Sequence, residues 1–339
     1  MAIQQAIQHL VEGRDLGRKT ARQVMDEIMT GGATDAQIGA FLVALRCKGE
    51  TVEEIAGCAQ VMREKATPVR TARTGMIDTC GTGGDRSGTF NISTTVAFVA
   101  AGAGLCVAKH GNRAMSSRCG SADVLQALGV NIEADPQTVG CCLDRAGIGF
   151  LFAPLLHSAM RHAIGPRREI GTRTVFNVLG PLTNPAGARR QLIGVYAAAL
   201  TDTLAGVLRE LGSERAFVVH GLDGLDEITL TGPTQVSELR DGRVTTTRVE
   251  PQAFGLRPAP LEALQGGTAE ENARILTSVL EGAPGPHRDV VLLNAAAAIA
   301  AGGLCDGIAD GLDLARQSID SGRAAASLAT LREVSHSRP

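Results

Sequence analysis

The stretch Asp78–Thr95 combines residue types that are suited to binding an anion. Glycines at 81, 83 and 84 follow a short apolar run, and a glycine lets backbone amides approach a ligand with no side chain between them. The segment Thr89–Thr95 then supplies hydroxyl and amide donors where the apolar pattern Val96–Ala101 begins a helix, whose N-terminus favours negative charge. These residues predict a phosphate-binding loop.

The glycines by themselves have a simpler interpretation, a glycine turn that leads into a helix capped by Ser or Thr. No Gly-Lys-Ser/Thr follows, so the stretch is not a Walker P-loop, and Asp85 interrupts the dinucleotide pattern Gly-x-Gly-x-x-Gly. A different class of phosphate ligand is therefore implied, and a second motif favours it over the simple turn.

That second motif is the basic loop Lys109–Ser117, which follows the apolar run Leu105–Ala108. Ligands of a parallel sheet bind beyond the carboxyl ends of its strands, so the two loops are expected to face one crevice. A solvated basic turn is the alternative. The uncharged Gly111 and Asn112 between the cations are more typical of a pocket of directed donors.

An acidic pair, Asp226 and Glu227, follows the predicted strand Ala216–Val219. Adjacent carboxylates are hard oxygen ligands that suit magnesium. An acidic turn capped by Asp223 and Asp226 explains the same residues equally well in isolation. A shared crevice with a phosphate loop favours the metal site.

Three arginines precede an apolar turn rich in Gly and Pro, namely Arg167, Arg168 and Arg173. One of them is a candidate clamp for a carboxylate. For most of them the sequence favours ion pairs on a helix surface.

The elements that must position these residues fall into two groups. Residues 1 to about 70 have the three- and four-residue apolar spacing of helices, with capping boxes predicted at Thr20/Gln23, Thr34/Gln37 and Thr51/Glu54. Short apolar runs then alternate with helical patterns, which predicts an α/β fold. The runs lie at 76–77, 105–108, 192–196 and 216–219, with short antiparallel strands between about 230 and 260 and closing helices at Asn294–Ala301 and Ala315–Ala329.

Size and composition restrict the classes of function. A chain of 339 residues exceeds what one core usually supports, so two domains are expected. With 33 basic and 35 acidic residues, 3% aromatics and no Trp, the chain offers neither a positive field nor stacking platforms for nucleic acid.

The eight scattered cysteines indicate reduced packing residues, and no apolar run approaches the roughly 18 residues that span a bilayer. A cytoplasmic protein is expected, with no membrane and no nucleic acid among its partners.

The ordered motifs together resemble the anthranilate phosphoribosyltransferase family nearly end to end. They are Gly-Thr-Gly-Gly-Asp at 81–85, Asn-Ile-Ser-Thr at 91–94, Lys-His-Gly-Asn-Arg-x-x-Ser-Ser at 109–117, the segment 167–185 and Asp-Gly-Leu-Asp-Glu at 223–227. The resemblance implies transfer of the 5-phosphoribosyl group from phosphoribosyl pyrophosphate to the amine of anthranilate in tryptophan biosynthesis. Pyrophosphate leaves, and Mg2+ is required.

The resemblance also implies the architecture. A small N-terminal helical domain, residues 1–73 with a return segment at about 168–188, accompanies an α/β domain of residues 74–167 and 189–339. The α/β domain has a mainly parallel central sheet similar to that of the nucleoside phosphorylases. Homodimers form through the helical domain.

Site residues follow from the resemblance position by position. The implied phosphoribosyl pyrophosphate contacts are Gly81, Gly84, Asp85, Thr89, Asn91, Ile92, Ser93, Thr94, Lys109, His110, Gly111, Asn112, Arg113, Ala114, Met115, Ser116, Ser117 and Ser121. The implied anthranilate contacts are Gly81, His110, Asn112 and Arg167, with Arg167 meeting the carboxylate. The implied magnesium ligands are Ser93, Asp226 and Glu227, while Arg168 and Arg173 keep their assignment as surface ion-pair residues.

No general base is assigned. Displacement of pyrophosphate needs charge neutralisation and positioning, and an aromatic amine is already unprotonated at neutral pH, so His110 is expected to contact substrate. Two alternative functions are a pyrimidine nucleoside phosphorylase of the same fold and a non-catalytic relative that binds nucleic acid. The Lys-His-Gly-Asn-Arg motif opposes the first, and the near-neutral charge with the intact acidic pair opposes the second.

Overall fold

A computed structural model describes residues 2–114 and 118–337 of the chain. The helices are α1 (Ala2–Val11), α2 (Arg18–Met29), α3 (Asp35–Lys48), α4 (Val52–Lys65), α5 (Ile92–Gly102), α6 (Ser121–Ala127), α7 (Pro136–Ala146), α8 (Ala153–Leu156), α9 (Arg161–Ile170), α10 (Phe176–Leu179), α11 (Ala199–Glu210), α12 (Ala269–Leu280), α13 (Pro286–Ala301), α14 (Ile308–Asp320) and α15 (Arg323–Ser335). The strands are β1 (Ile77–Gly81), β2 (Val107–Gly111), β3 (Ile148–Phe152), β4 (Arg190–Gly194), β5 (Arg215–Gly221), β6 (Thr234–Arg240) and β7 (Arg243–Val249). The predicted small helical region followed by a larger α/β region is confirmed.

Capping explains where two of the first helices begin. Thr34 and Thr51 each accept a hydrogen bond from the backbone of the third helical residue, whose side chain bonds back, as the capping boxes predict. The predicted box at Thr20 is wrong. Helix α2 begins at Arg18 after Gly17, so Thr20 lies inside its first turn.

The seven strands form one sheet in the order β3-β2-β1-β4-β5-β6-β7. The first five in this order are parallel, and β6 and β7 are antiparallel additions at one edge. The mainly parallel sheet and the antiparallel pair near 230–260 are confirmed. Strand β3 was not predicted, because its sequence Ile-Gly-Phe-Leu-Phe continues directly from α7 with only Gly147 between them.

Alternate residues of the strands enter separate cores on the two faces of the sheet. On one face, Leu192 and Phe217 join the core that contains α5 and α13. On the other face, Ile193 and Val218 join the core that contains α1 to α4. Apolar residues of the segment 175–182 pack in this second core, while the domain boundaries themselves stay a prediction.

The alanine-rich C-terminal region packs closely because small side chains let helices approach the sheet. Every residue of α13 from Val290 to Ala301 is buried. The predicted helix Ala315–Ala329 is divided in the structure, since the chain leaves α14 at Ser321 and Gly322 takes the left-handed conformation before α15.

No helix within residues 2–114 and 118–337 combines the length and apolar character needed to cross a membrane. Five of the eight cysteines are buried, in accord with a packing role for those five, whereas Cys47 is exposed and Cys141 and Cys305 are partly buried.

Candidate active site

A pocket of about 390 Å³ lies beyond the carboxyl ends of the parallel strands, where the loops after β1, β2 and β5 meet the N-terminus of α5. Its lining residues are Cys80, Gly81, Thr82, Gly83, Gly84, Asn91, Ser93, Thr94, Lys109, His110, Gly111, Asn112, Arg113, Ala114, Gly120, Ser121, Ala153, Arg167, Phe176, Asn177, Gly180, Pro181, Asp226 and Glu227. The predicted phosphate loop, basic loop and acidic pair therefore share one crevice. A larger pocket of about 560 Å³ elsewhere, around Glu271 and Arg274, contains none of the predicted site residues.

The glycine loop is held against the acidic pair. The amide of Gly83 donates a hydrogen bond to Asp226 Oδ2 at 2.9 Å, and a Cβ added to Gly81 would lie 2.9 Å from the same oxygen. Gly83 and Gly84 both have positive φ, a conformation that glycine adopts without strain. Glycines are therefore needed here for backbone conformation and for close approach.

The acidic pair carries negative charge into a buried site. Burial and the neighbouring Asp85 raise the pKa of Asp226. Burial and Asp226 raise the pKa of Glu227 well above its usual value, although Lys109 opposes this shift and a backbone hydrogen bond from Ser93 does so too. Ionisation of both carboxylates is costly without a cation.

This donor set fits a magnesium ion in part. Its oxygens are hard ligands, and their uncompensated charge favours a divalent cation. In the described residues, no group of three or more His, Cys, Asp and Glu side chains forms a complete metal site. A bound ion would therefore draw its remaining ligands from water or from substrate oxygens, as magnesium commonly does.

Lys109 is a buried cation at the floor of the pocket. Its Nζ donates to the Thr79 carbonyl at 2.6 Å and to Ser93 Oγ at 3.4 Å. Burial lowers the pKa of Lys109, while Asp78 and Glu227 oppose the shift. Its charge is thus fixed beside the N-terminus of α5.

A second histidine, which sequence reasoning missed, contacts His110. The two Nε2 atoms lie 3.2 Å apart, and His110 Nδ1 lies 3.2 Å from the Gly180 carbonyl oxygen. Burial lowers the pKa of His110 to about 3 and that of His157 to about 4. With both ring nitrogens engaged and a depressed pKa, His110 is poorly suited to act as a general base.

Asn91 lines the pocket and also forms hydrogen bonds within the protein. Its Nδ2 donates to the Cys119 carbonyl at 3.2 Å, and its Oδ1 accepts from Asn272 Nδ2 at 2.9 Å. On the basic loop, Arg113 forms an ion pair with Asp123 at 3.0 Å and remains half exposed. Asn91 therefore connects the start of α5 to Cys119 and to α12, and Arg113 keeps a solvent-facing charge.

The three arginines of the 167–173 segment behave differently. Arg167 lines the pocket with its guanidinium 4.9 Å from the centre of the Phe176 ring, and burial lowers its pKa. Among the described residues, neither Arg168 nor Arg173 forms an ion pair, so the salt-bridge prediction was wrong for both. Arg173 donates instead to the Gly84 carbonyl.

Some predicted residues lie off the pocket wall. Asp85 points to the acidic pair, where Asp226 N donates to its Oδ2 at 3.5 Å. Thr89 lies beside Ser87, and Ile92 is buried in the α5 core. Met115, Ser116 and Ser117 lie outside the described residues.

Besides His157, sequence reasoning missed Asn184, which bridges strand and return segment. Its Nδ2 donates to Asp78 Oδ2 at 2.8 Å and to the Ala108 carbonyl at 2.7 Å. The Thr-Asn-Pro turn that contains Asn184 was the only signal in the sequence, and it gave no partner.

Comparison with known proteins identifies the family of the chain. The family described as "Glycosyl transferase family, a/b domain" matches residues 73–325, and "Glycosyl transferase family, helical bundle domain" matches residues 4–66. Anthranilate phosphoribosyltransferase from Symbiobacterium thermophilum is 58% identical over 97% of each chain, and that from Anaeromyxobacter dehalogenans is 60% identical over 95% of each.

The chain belongs to the anthranilate phosphoribosyltransferase family. Solved structures of family members have the same fold as this chain. The crystal structure of the Thermus thermophilus enzyme has a TM-score of 0.93 at 43% identity and covers 98% of this chain and 99% of its own. The Saccharomyces cerevisiae anthranilate phosphoribosyltransferase, solved in complex with phosphoribosyl pyrophosphate and Mg, has a TM-score of 0.88 at 30% identity and covers 98% and 97%.

Proposed function

We propose that the protein transfers the 5-phosphoribosyl group of phosphoribosyl pyrophosphate to the amine of anthranilate and releases pyrophosphate. The observation that carries this proposal is the meeting of a glycine loop, a basic loop and a buried acidic pair in one pocket at the carboxyl ends of the strands. Full-length relatives with this activity in their names support it. No observation on the described residues specifically favours either alternative, the pyrimidine nucleoside phosphorylase or the nucleic-acid-binding relative.

Mg2+ is the proposed cofactor, with Ser93, Asp226 and Glu227 as its protein ligands. The raised pKa values of the two carboxyl groups support a cation at this position. When bound with pyrophosphate, the ion would neutralise charge on the leaving group. The yeast relative was solved with phosphoribosyl pyrophosphate and Mg, which supports the same assignment.

The chain's own residues hold the leaving group. Amides of the glycine loop and the cations of Lys109 and Arg113 lie on the pocket wall where diphosphate charge would develop. In a loose, oxocarbenium-like transition state, such fixed donors stabilise the departing pyrophosphate more than the bound substrate. Electrostatics and positioning therefore supply the catalysis.

Arg167 is the proposed partner of the anthranilate carboxylate. It lines the pocket, has no carboxylate partner within the described residues and is half-buried against Phe176. A desolvated guanidinium without a counter-ion favours binding an anionic ligand. His110, Asn112 and Gly81 line the same pocket and complete the proposed acceptor site.

We further propose a cytoplasmic homodimer that acts in tryptophan biosynthesis. The 4-fluoroanthranilate complex of the yeast relative supports anthranilate as the acceptor class.

The direct test mixes the purified protein with Mg2+, phosphoribosyl pyrophosphate and anthranilate and follows anthranilate fluorescence. We expect decay that requires all three components and yields one pyrophosphate per anthranilate consumed. No decay with anthranilate, or decay that persists without phosphoribosyl pyrophosphate, would contradict the proposed function.

A further inference from the structure

Arg173 makes two contacts that join the phosphate loop to the rest of the molecule. Its Nη2 donates a hydrogen bond to the carbonyl oxygen of Gly84, and its guanidinium carbon lies 4.1 Å from the centre of the Tyr196 ring. Tyr196 in turn donates its backbone amide to Thr82 Oγ1 at 3.1 Å. The arginine and the tyrosine therefore hold both sides of the turn that contains Gly83.

The hydrogen bond at Gly84 fixes the direction of the next amide. In a planar trans peptide, the carbonyl of one residue and the N–H of the following residue point in opposite directions. With the Gly84 carbonyl held by Arg173, the Asp85 amide points away from Arg173. Gly84 has a positive φ of 77° and lacks a side chain, so its peptide would otherwise rotate easily.

The same contact also brings a positive charge to the loop. Arg173 has no ion-pair partner in the described parts of the chain. Its guanidinium is stacked on the Tyr196 ring, which is uncharged, so the positive charge of Arg173 is not neutralised. The loop beside it carries Asp85 and contacts Asp226. An unpaired cation there opposes the negative potential that would repel a diphosphate.

The arrangement continues into the helical region. Burial raises the pKa of Tyr196, and the charges of Arg46 and Glu50, at the end of α3 and just beyond it, also act on its phenol. Arg173 itself lies in the segment between α9 and α10. The phosphate loop is thus connected through one side chain to the segment whose neighbouring helix, α9, carries Arg167, the proposed acceptor contact.

We infer that Arg173 is a positioning residue for the diphosphate group, which orients the Gly84–Asp85 peptide and supplies positive charge without being a ligand of the substrate. This inference rests on the proposed function. It assigns to Arg173 a role in binding phosphoribosyl pyrophosphate that is separable from acceptor binding.

The test compares Arg173→Met and Arg173→Lys with the matched control Arg168→Met, which changes an exposed arginine of the preceding helix, α9. We expect Arg173→Met to raise the KM for phosphoribosyl pyrophosphate at least tenfold while the KM for anthranilate changes less than twofold. Arg173→Lys keeps the charge and one donor, so we expect it to recover part of the loss. Titration calorimetry with magnesium pyrophosphate should show the same ranking of affinities.

A KM for phosphoribosyl pyrophosphate within twofold of wild type in Arg173→Met would overturn the inference. An equal rise of both KM values with a lowered Tm would also overturn it, because that pattern indicates only a structural role. If Arg173→Met does not fold, Arg173→Lys and Tyr196→Leu decide: both must raise the KM for phosphoribosyl pyrophosphate selectively, and an unchanged KM in either contradicts the inference. Wild-type turnover in the same assay tests the proposed function independently.

Discussion

At the scale of single residues, the pocket places groups whose charges are costly to bury where a ligand would compensate them. Asp226 and Glu227 have raised pKa values, and Arg167 has a lowered one, each first of all through burial. Such perturbed groups cluster at functional sites more often than elsewhere. The acidic pair and Arg167 are therefore the residues whose replacement should separate activity from folding.

The double variant Asp226→Asn with Glu227→Gln should lose turnover and keep its fold. Both amides are close in size to the carboxylates, and their neutral charge removes the cost of burying two carboxylates, which is the main cause of the raised pKa values. We expect no measurable anthranilate consumption and a Tm equal to or above that of wild type. Wild-type rates in the double variant would refute the magnesium assignment.

The buried histidine pair should reduce stability in acid. The folded protein holds His157 neutral, with its pKa lowered to about 4, whereas the unfolded chain takes up the proton below about pH 6.5. The stabilisation is therefore complete above pH 6.5 and declines as pH falls towards 4. One proton corresponds to a slope of at most about 1.4 kcal/mol per pH unit.

Thermal melts from pH 4.5 to 7.5 test this expectation. His157→Asn should flatten the fall of Tm below pH 6.5, whereas His9→Gln, at an exposed position on α1, should not. Burial raises the pKa of Asp78 to about 6, so Asp78 changes the stability with pH in the opposite direction. Asp78 is present in wild type and in both variants, so its effect does not alter the comparison. Parallel curves of Tm against pH for wild type and His157→Asn would show that His157 is not the cause of the loss of stability in acid.

At the scale of elements, the site depends on how closely the end of β4 approaches the acidic loop. A Cβ at Gly194 would overlap the carbonyl oxygen of Asp226. The strand end and the loop can therefore meet only if residue 194 lacks a side chain. The acidic pair owes its position to this contact between two backbones.

Gly194→Ala should displace the acidic pair. We expect a loss of activity of at least a hundredfold and a destabilisation of about 1–3 kcal/mol, as is common when a packed site is overfilled. Gly206→Ala, on α11, is the matched control, because its Cβ would lie 3.4 Å from a methyl of Val52 on α4, an ordinary van der Waals contact. Normal activity in Gly194→Ala would show that the loop does not need this approach.

At the scale of the whole molecule, two exposed apolar side chains on neighbouring helices indicate where a second copy would pack. Val43 on α3 and Ile164 on α9 are 41% and 47% exposed. The homodimer that the family resemblance implies would use the helical region, to which α3 belongs. A dimer interface would remove these side chains from water.

Light scattering after gel filtration should give the mass of a dimer for wild type. Val43→Glu combined with Ile164→Glu should shift the protein towards monomer with little change in Tm, whereas Leu304→Glu, at an exposed apolar residue of the α/β region, should leave the dimer intact. A monomeric wild type at micromolar concentration would contradict the dimer proposal.

Much of the fold and site followed from the sequence because it depends on local patterns. Apolar spacing predicted the helices of the first 65 residues, short apolar runs predicted four of the parallel strands, and Thr34 and Thr51 marked helix starts. Strand ends are where ligands bind in such folds, so the pocket's main loops were also predictable. These features need no knowledge of distant contacts.

Only the tertiary structure decided the partners of individual side chains. The sequence assigned Arg173 to a surface ion pair, but folding brings it to Gly84, 89 residues earlier in the chain. It named Asn91 as a ligand contact without showing that the same side chain bonds to Asn272 and to the Cys119 carbonyl. The sequence indicated no role for His157, and only folding brings it into contact with His110.

The sequence alone thus determined the phosphate loop, the acidic pair and the elements that carry them, because these are set by residue type and local spacing. Which groups remain available to a ligand was decided by contacts between distant segments, whose pairing no local pattern encodes.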